Sequence, residues 1–472
     1  MRFNYALLYI SFILILISCK TETEITTKVP EKTTYNVQVK PTATKHIKSR
    51  IQFSNNSNNR KPTIFSSKSE FNKFPVILEE KFKNIVENEF EQISEKAGIS
   101  VAVYKEGTLW TYASGIASES EKMTTNTPLM ISSTSKTFLS ALILTQIENG
   151  LYELNNTLDT IFSEHPEYLH FDWNIINPEV TIEDLLTMSS GLPVYSDNIE
   201  GRNKIIKNPE LTPIDLINLI ETPYSEPGNF KYNDTNVVLL GLIAELYAGK
   251  TLAELYRETF YKPLSLNAIT LPEEGIEWHK NISQDLASNF TSPHMAMPYT
   301  DISKWSSGFG NMIDAAPFEF GYYIGSMGRT RYACCGIIST PENIARWAYH
   351  LYSPNGIAVS ESIKTKIKNS TSPDKIPPWS SSTRPGSIPG EYGYLVSKTI
   401  FKNQEHITKT YGHPGGGSGY SGWMHYSPNL DLAISIMTNS QMNFLGSCKV
   451  ENPGNCISMN IFQAYNDFQL SK

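Results

Sequence analysis

Ser133 and Lys136 form a Ser-x-x-Lys pair, a spacing that can support acyl transfer. Residues three apart share one face of a helix, so the hydroxyl and the amine lie one turn from each other. A serine hydroxyl is a weak nucleophile unless a neighbour takes its proton, and a lysine amine does so when burial or nearby cations lower its pKa. Ser-x-x-Lys is also common by chance, and Ser-Ser-Thr-Ser is an ordinary helix N-cap sequence. Catalysis at Ser133 therefore needs support from other parts of the chain.

A second candidate is a tyrosine in the polar loop PGNFKYNDTN, which precedes the apolar run VVLLGLIAEL. Beside a lysine the pKa of a phenol falls, so Tyr232 can relay protons. Asp234 adds a carboxylate two residues later. The competing interpretation is a turn with a surface tyrosine, in which Asp234 and Thr235 cap the following helix.

The third candidate is the glycine-rich segment YGHPGGGSGY, which leads into a β-rich stretch near the end of the chain. Glycines allow the backbone to pass close to a ligand, and an exposed N–H can form half of an oxyanion hole, worth about 3–4 kcal/mol in the transition state. His413 adds a donor that is expected to titrate near neutrality. The alternative is a flexible approach to a hairpin with an incidental histidine.

Taken together and in this order, the three segments resemble the motifs of serine β-lactamase-related hydrolases. That group includes class C β-lactamases, DD-carboxypeptidases, D-aminopeptidases and related esterases and amidases. The resemblance extends over roughly residues 80–470. It includes the connecting stretches VTIEDLLTMSSGLP at 180–193, CGIISTPEN at 335–343 and YGY at 392–394.

The resemblance implies a role for each candidate residue. Ser133 would be the acylated nucleophile, Lys136 its base partner, and Tyr232 the group that passes the proton to the leaving group. The backbone N–H groups of Ser133 and Gly416 would form the oxyanion hole. Asp234 stands where the family's Tyr-x-Asn motif has asparagine, so it would contact the substrate or Lys136. No metal ion and no organic cofactor is implied.

Three departures from the family pattern bear on the substrate. His413, Pro414 and Gly415 occupy the element that is Lys-Thr-Gly in β-lactamases, and a histidine there is typical of peptidase or esterase relatives. Pro414 replaces a hydroxyl residue that often binds the carboxylate of β-lactams and D-Ala termini. Asp234 adds negative charge, which favours an amine-bearing substrate. We therefore expect a serine hydrolase of amides or esters. A true β-lactamase, a DD-carboxypeptidase and a penicillin-recognising sensor or binding module without turnover are the alternatives.

The N-terminus has the pattern of a lipoprotein signal peptide. Twelve mostly apolar residues, Ala6–Ile17, span about 18 Å as a helix, which is short of the roughly 30 Å hydrocarbon core of a membrane. Leu16-Ile17-Ser18-Cys19 resembles a bacterial lipobox, which implies cleavage before Cys19 and lipid on that residue. An ordinary signal peptide with an incidental cysteine is the alternative. We expect residues 1–18 to be removed and the protein to be anchored to a membrane of the bacterial cell envelope.

Residues 19–73 are predicted to form a disordered tether. The part from residue 20 is rich in Thr, Ser, Asn and Lys and carries eleven Lys/Arg against four Glu. This positive charge suits an anionic lipid surface, and a soluble spacer has the same composition. The whole chain has a net charge of −7, which disfavours nucleic acid as a partner and leaves a small-molecule or peptide substrate.

Hydrophobic patterns predict which elements carry these residues. Apolar residues at three-to-four spacing predict an amphipathic helix over Phe82–Ala97, and a long helix is expected over Ser133–Glu148. The region of residues 151–290 is expected to be mostly helical. Two hairpins are predicted from Ile99–Tyr104 with Leu109–Ala113 and from Gly419–Tyr426 with Asp431–Thr438. Five further helices are predicted over Ile182–Met188, Pro213–Ile220, Val237–Tyr247, Leu252–Phe260 and Ile457–Phe468.

Strands at both ends of the body with helices between them predict an α+β fold. The catalytic domain would be residues 74–472, with a helical insertion at about residues 151–290. The resemblance implies a β-lactamase/transpeptidase-like architecture, in which helices flank an antiparallel sheet of five or more strands. The active site would lie between that sheet and a helical subdomain.

Four of the five cysteines lie after Tyr232 in the chain. Cys334 and Cys335 are adjacent, and because a disulfide between neighbours is strained, two separate thiols are expected. Cys448 and Cys456 are spaced to close a loop in an oxidising compartment, and two thiols are the alternative.

Overall fold

A computed structural model gives the structure of the body of the chain. It describes residues 70–92, 97–117, 122–163, 165, 171–197, 204, 211–270, 332–380, 388–403, 406–417, 420–440, 446–449 and 451–472. The predicted signal peptide, Cys19 and all but the last four residues of the predicted tether lie outside these ranges. Where the described chain begins, Asn72 forms a β-bridge with Thr108.

An antiparallel sheet of eight strands forms the centre of the fold. The chain has eleven described strands: β1 (Gly98–Lys105), β2 (Thr108–Gly115), β3 (Leu129–Met130), β4 (Ala268–Thr270), β5 (Ile337–Ser339), β6 (Glu391–Tyr392), β7 (Ser397–Asn403), β8 (His406–Gly412), β9 (Gly415–Gly417), β10 (Tyr420–Ser427) and β11 (Leu432–Thr438). The large sheet has the order β2-β1-β11-β10-β8-β7-β6, with β9 paired to β10. A small second sheet has the order β3-β5-β4.

The two ends of the body meet in the large sheet. Strand β1 pairs with β11 from Ile99 opposite Thr438 onward, and each belongs to one of the two predicted hairpins. The strands of these hairpins differ from the prediction by no more than three residues at any end. The α+β fold with a flanked antiparallel sheet is therefore confirmed.

Helices pack against both faces of the large sheet. The described α-helices are α1 (Val76–Phe90), α2 (Lys136–Glu148), α3 (Leu158–Ser163), α4 (Ile182–Leu186), α5 (Pro213–Ile217), α6 (Asp234–Ala248), α7 (Leu252–Tyr256), α8 (Tyr332–Cys335), α9 (Pro341–Tyr352), α10 (Glu361–Asn369) and α11 (Pro453–Leu470). A π-helical turn, Arg257–Tyr261, extends α7.

The first predicted helix is wrong at both ends. Helix α1 begins at Val76, directly after Pro75, rather than at Phe82, and it ends at Phe90 rather than at Ala97. Val76 and Ile77 are exposed, so they fall outside the apolar period and the sequence pattern hides the first turn. The pattern that was detected is the buried face, on which Leu78, Phe82 and Val86 recur every four residues.

The expectation that residues 151–290 are mostly helical is only partly correct for the residues described. Helices α3, α4, α5 and α7 have five or six residues each, and only α6 is long. Three of these short helices start with a capping box at Thr181, Thr212 or Thr251, which defines their first turn. Irregular segments rich in Pro, Asn and Ser separate them, and β4 also lies in this region.

Within the described residues, no single helix is long and apolar enough to cross a membrane. Two consecutive segments, Asp234–Ala248 and Leu252–Tyr261, reach that length and composition together, but the chain bends by 77° between them.

Helix α2 is the buried core of the helical region and is joined firmly to its neighbours. The ring of Phe138 stacks on Trp347 of α9 at 3.8 Å between centroids, and the Trp347 indole N–H donates to the Thr137 hydroxyl at 2.9 Å. The Ser140 hydroxyl donates to the Tyr394 carbonyl at 2.6 Å. Because α9 packs on strands β1, β10 and β11, these contacts fix the start of α2 relative to the large sheet.

The opposite face of the sheet packs against α1 and α11. Their apolar side chains form one cluster with those of the central strands, including Phe82, Ile434 and Phe462. A disulfide joins Cys448 to Cys456 at the start of α11. The open question of whether these two cysteines pair is thus answered by the structure.

Candidate active site

Ser133 lies in a single 3-10 turn, Ser132–Ser135, that runs directly into α2. The predicted helix is therefore correct in place, but its first turn is tighter than an α-helix. Ser132 has φ +48°, a left-handed conformation that is strained for serine and that turns the chain sharply before the nucleophile. The Thr134 hydroxyl donates to the His413 carbonyl at 3.0 Å, which ties this turn to the glycine-rich segment.

The ammonium of Lys136 is completely buried and surrounded by acceptors. Its Nζ lies 3.1 Å from Ser133 Oγ and 3.2 Å from the Cys334 carbonyl oxygen. It also lies 2.8 Å from Asp234 Oδ1 and 3.8 Å from Cys335 Sγ. The structure therefore brings the predicted nucleophile, its lysine and Asp234 together around one nitrogen.

The charge of Lys136 is set by two opposing effects. Burial lowers the pKa of the ammonium because the charged form loses its hydration. The Asp234 carboxylate acts in the other direction, and together with the polar groups of Cys335 and Tyr232 it holds the pKa of Lys136 well above its ordinary value. The resting lysine is therefore an ammonium, and the sequence-based idea of an amine with a lowered pKa does not hold for this state.

Tyr232 and Asp234 stand at the start of α6, which is capped in an unusually buried setting. The Asn233 side chain accepts a hydrogen bond from the Thr235 N–H, and the Thr235 hydroxyl donates to the Pro193 carbonyl at 2.7 Å. Asp234 is thus the first helical residue rather than the cap. Its carboxylate turns toward Lys136 and its side chain is 26% exposed.

The loop that carries Tyr232 is held by backbone hydrogen bonds to the segment MSSGLP, residues 188–193, that follows α4. The N–H donors and their carbonyl acceptors are Ser225 to Gly191 (2.9 Å), Gly228 to Ser189 (2.7 Å) and Lys231 to Met188 (2.8 Å). These three bonds fix the loop directly before Tyr232 to the segment that follows α4.

The rings of Trp379, Tyr392 and His413 pack around Tyr232. The Lys136 ammonium lies 5.0 Å from the centre of the Tyr232 ring. The ring of Trp379 packs edge-to-face on Tyr232 at 4.8 Å and lies 5.0 Å from His413, while Tyr392 lies 5.8 Å from Tyr232. Burial raises the pKa of the Tyr232 hydroxyl and the Lys136 charge opposes this, so the phenol is neutral at rest.

The prediction that His413 titrates near neutrality is wrong. His413 is 1% exposed, and burial together with the nearby Lys136 charge lowers its pKa to about 3. Its Nδ1 lies 2.6 Å from the Pro414 carbonyl, which can only accept, so Nδ1 carries the proton. Nε2, 3.0 Å from the Tyr392 hydroxyl, is left as an acceptor. His413 is therefore a neutral side chain with both ring nitrogens engaged.

The glycine-rich strand β9 lies directly against the turn that carries Ser133. A Cβ on Gly415 would lie 2.0 Å from the Ile131 carbonyl oxygen, so only glycine permits this approach. A Cβ on Gly416 would meet no atom within 4 Å, which leaves the backbone there open on one side. The close approach is thus between Gly415 and Ile131, and the oxyanion hole of Ser133 and Gly416 stays a prediction.

Three residues near the site were not singled out as functional from the sequence. Trp379 comes from a Pro-rich loop with no catalytic pattern, and only tertiary packing brings it to Tyr232. Cys334 and Cys335 end α8 beside Lys136, and neither forms a disulfide, as the sequence analysis predicted. Their functional signal was limited to their position at the start of the family-like stretch CGIISTPEN, of which Cys335 is the first residue.

Comparison with known proteins assigns the family. The family model described as Beta-lactamase matches residues 86–445. The chain belongs to the Beta-lactamase family. This match contains every candidate catalytic residue, and it confirms the resemblance to serine β-lactamase-related hydrolases.

Individual relatives of this Beta-lactamase family member are distant. Protein flp of Staphylococcus aureus (strain COL) is 24% identical over 225 residues, which are 47% of this chain and 41% of flp. The chain thus matches less than half the length of that relative. The D-amino acid amidase from Ochrobactrum anthropi SV3 in complex with D-phenylalanine has a TM-score of 0.61 at 18% identity, covering 83% of this chain and 99% of the amidase. The octameric penicillin-binding protein homologue from Pyrococcus abyssi has a TM-score of 0.56 at 20% identity, covering 83% of this chain and 77% of that one. The two structures confirm the β-lactamase/transpeptidase-like fold.

The first prediction concerns the pH dependence set by Asp234. In Asp234→Asn, burial still lowers the pKa of Lys136 but the carboxylate that raises it is gone. The amine then forms at lower pH, so the rising limb of kcat/KM, or of the rate of Ser133 acylation, moves to lower pH. The matched control is Asp197→Asn. This substitution removes the same charge from a carboxylate that pairs with Lys231 at the surface. Equal pH profiles for the two variants would contradict the assignment.

The second prediction concerns the close approach at Gly415. In Gly415→Ala the new Cβ displaces β9 from the Ser133 turn, and a shift of about 1 Å at a reacting group costs roughly 100-fold in rate. The control is Gly422→Ala, because Gly422 is the partner of Gly415 across the β9–β10 ladder but has room for a Cβ, with Ile436 O at 3.6 Å. Acylation kinetics of the two folded variants, checked by circular dichroism, test this difference.

Proposed function

We propose that this protein is a serine hydrolase that cleaves an amide or ester bond through an acyl-enzyme on Ser133, of the peptidase or esterase type. The observation that supports this most directly is the 3.1 Å contact between Ser133 Oγ and Lys136 Nζ, with Asp234 and Tyr232 at the same lysine. A hydroxyl beside a group that can exchange a proton is the minimum for nucleophilic catalysis.

The acylation step needs a base, and the Lys136–Asp234 pair can provide it. Transfer of one proton from Nζ to Oδ1 across 2.8 Å converts an ion pair into a neutral amine and a neutral carboxyl. The net charge of the buried site stays the same, so this transfer adds no uncompensated charge. The amine then takes the Ser133 proton as Oγ attacks the carbonyl carbon of the substrate.

The remaining steps use Tyr232 and the backbone of β9. The neutral Tyr232 hydroxyl, next to Lys136, passes a proton to the leaving amine or alcohol and later helps water attack the acyl-enzyme. The N–H groups of Ser133 and Gly416 stabilise the oxyanion in both steps, and the open space around Gly416 suits that role.

A substrate without a carboxylate near the scissile bond fits the described part of the site better than a substrate that carries one. The positive charge of Lys136 is matched by Asp234, and His413 is neutral with its ring nitrogens engaged. Among the described residues, these leave no uncompensated cation at the position where β-lactamases have a lysine. The aromatic rings of Tyr232 and Trp379 offer an apolar wall to the substrate. The structural neighbour that is a D-amino acid amidase supports an amide as the bond cleaved.

The second candidate is a penicillin-recognising protein, either a β-lactamase or a sensor that acylates without turnover. The structural neighbour that is a penicillin-binding protein homologue favours it. The same Ser133 and Lys136 would carry out acylation, and slow deacylation would separate a sensor from an enzyme.

The third prediction is the reaction of Ser133 with two probes. The purified protein is incubated with a fluorophosphonate and, separately, with a fluorescent penicillin, followed by intact mass measurement and peptide mapping. We expect a fluorophosphonate adduct on Ser133 and hydrolysis of p-nitrophenyl esters or phenylalaninamide. Ser133→Ala should lose both, while Ser471→Ala at the exposed C-terminus should keep them.

Other outcomes of this experiment favour the alternatives. A penicillin adduct that persists would indicate a sensor, and one that turns over would indicate a β-lactamase. Release of D-alanine from a D-Ala-D-Ala peptide would indicate a carboxypeptidase. If neither probe labels Ser133, the proposal of acyl-enzyme catalysis is wrong and a silent binding module is favoured.

We further propose that the protein acts at the bacterial cell envelope, anchored through lipid on Cys19. The apolar run before Leu16-Ile17-Ser18-Cys19 and the basic segment after it support this proposal. The fourth prediction is that cells fed an alkyne fatty acid incorporate it into the wild type, which fractionates with membranes. Cys19→Ala should lose both properties, whereas the double variant Cys448→Ser/Cys456→Ser should still be labelled. Labelling that survives in Cys19→Ala would refute lipidation at this residue.

A further inference from the structure

Cys334 and Cys335 lie beside the proposed catalytic lysine but have no part in the proposed reaction. Both thiols are completely buried and neither forms a disulfide. With Asp234 they form a cluster of three donor atoms, one carboxylate oxygen and two sulfurs, that all lie within 4.8 Å of one another. Among the described residues, this is a group of the kind that binds a metal ion.

Two of these three donors, the Asp234 carboxylate and the Cys335 sulfur, already contact a cation. The Lys136 ammonium lies 2.8 Å from the Asp234 carboxylate and 3.8 Å from Cys335 Sγ, and it also contacts the Cys334 carbonyl at 3.2 Å. The Lys136 nitrogen thus lies beside a carboxylate oxygen, a sulfur and a backbone carbonyl oxygen. A metal ion of sufficient affinity for sulfur can compete with the ammonium for the same acceptors.

The donor set selects a soft divalent ion. Thiolate sulfur favours zinc over magnesium or calcium, and zinc accepts a carboxylate in the same shell. In a tetrahedral zinc site with Zn–S near 2.3 Å, ligand atoms lie about 3.3–3.8 Å apart, so the three donors need to approach by only about 1 Å. The Ser133 hydroxyl lies 3.6 Å from Cys335 Sγ, a separation of the size found between two ligands of one zinc ion.

The charges of the cluster permit this exchange. With neutral thiols, the ammonium and carboxylate sum to zero. When Zn²⁺ binds, it replaces the two thiol protons, which leave to solvent, and the sum of Zn²⁺, two thiolates, one carboxylate and the ammonium is again zero. The exposed part of Asp234 gives the ion a route into the buried cluster.

We propose that Asp234, Cys334 and Cys335 form an inhibitory binding site for Zn²⁺ inside the active site. The ion takes the Asp234 carboxylate from Lys136 and occupies the contact between Lys136 and Ser133. Metal binding and acylation of Ser133 are then mutually exclusive. This inhibition rests on the proposed function, whereas the metal site itself does not.

The fifth prediction tests metal binding and inhibition separately on the purified protein. Native mass spectrometry with added Zn²⁺ should show one ion per chain, and Co²⁺ in its place should give a thiolate-to-cobalt charge-transfer band. Zn²⁺ should slow fluorophosphonate labelling of Ser133 by roughly tenfold or more, and a chelator should restore it. Cys334→Ser and Cys335→Ser should each weaken metal binding by roughly 100-fold or more, since even outer-shell partners of metal ligands contribute 10–100-fold.

The matched control is Cys448→Ser with Cys456→Ser, which removes the other pair of cysteines and should leave metal binding intact. The proposal is wrong if the wild type gives no charge-transfer band, or if Zn²⁺ slows labelling equally in Cys335→Ser. If Zn²⁺ and Co²⁺ bind through the two sulfurs but Ser133 does not label with any probe, the metal site stands and the proposed hydrolase function fails.

Discussion

The ion pair between Lys136 and Asp234 is the interaction that holds the site together. A completely buried ammonium is costly unless a partner compensates its charge, and the carboxylate does so at 2.8 Å. Removal of one partner of such a pair typically destabilises a protein by about 3–5 kcal/mol, because the other charge stays buried. The pair also joins three segments that are far apart in sequence, since the end of α8 completes the shell around Nζ.

Two features of the scaffold place Ser133 and Lys136: the close packing of helix α2 and the strained backbone of Ser132. Helix α2 is packed on nearly every side, and the stacking of Phe138 on Trp347 ties it to the helix that covers the sheet. The left-handed Ser132 then turns the chain so that the next residue is less buried than those around it. Strain of this kind persists only where the surrounding structure holds it in place.

The sequence was sufficient for the elements with strong local patterns. Both hairpins, α6 and α11 were predicted because each is an apolar-rich run bounded by polar or turn residues. The start of α1 was missed because Val76 and Ile77 are exposed, and the short helices of the middle region were overestimated because their caps and turns break any long period.

The candidate site residues could be proposed from the sequence because each of the three motifs is a short, contiguous segment. The neutral state of His413 was not, because it follows from burial and from the hydrogen bond of Nδ1 to Pro414, neither of which a sequence displays. The direction of the Lys136 pKa shift was also predicted wrongly, because the contact with Asp234 that raises this pKa is formed only in the folded protein. The approach of Trp379 to Tyr232 depends on tertiary packing alone, and no local signal marks it.

The pairing of β1 with β11 has a consequence for how the chain acquires its structure. The hairpin of β1 and β2 is made early in synthesis. Strand β11, which pairs with β1 and places Thr438 opposite Ile99, is among the last strands to be made. Until then β1 presents an unpaired edge and an apolar face, a combination that promotes aggregation of unfinished chains. A truncated product that ends before residue 432 therefore lacks the strand that closes its sheet, although it still contains Ser133, Lys136, Tyr232 and His413.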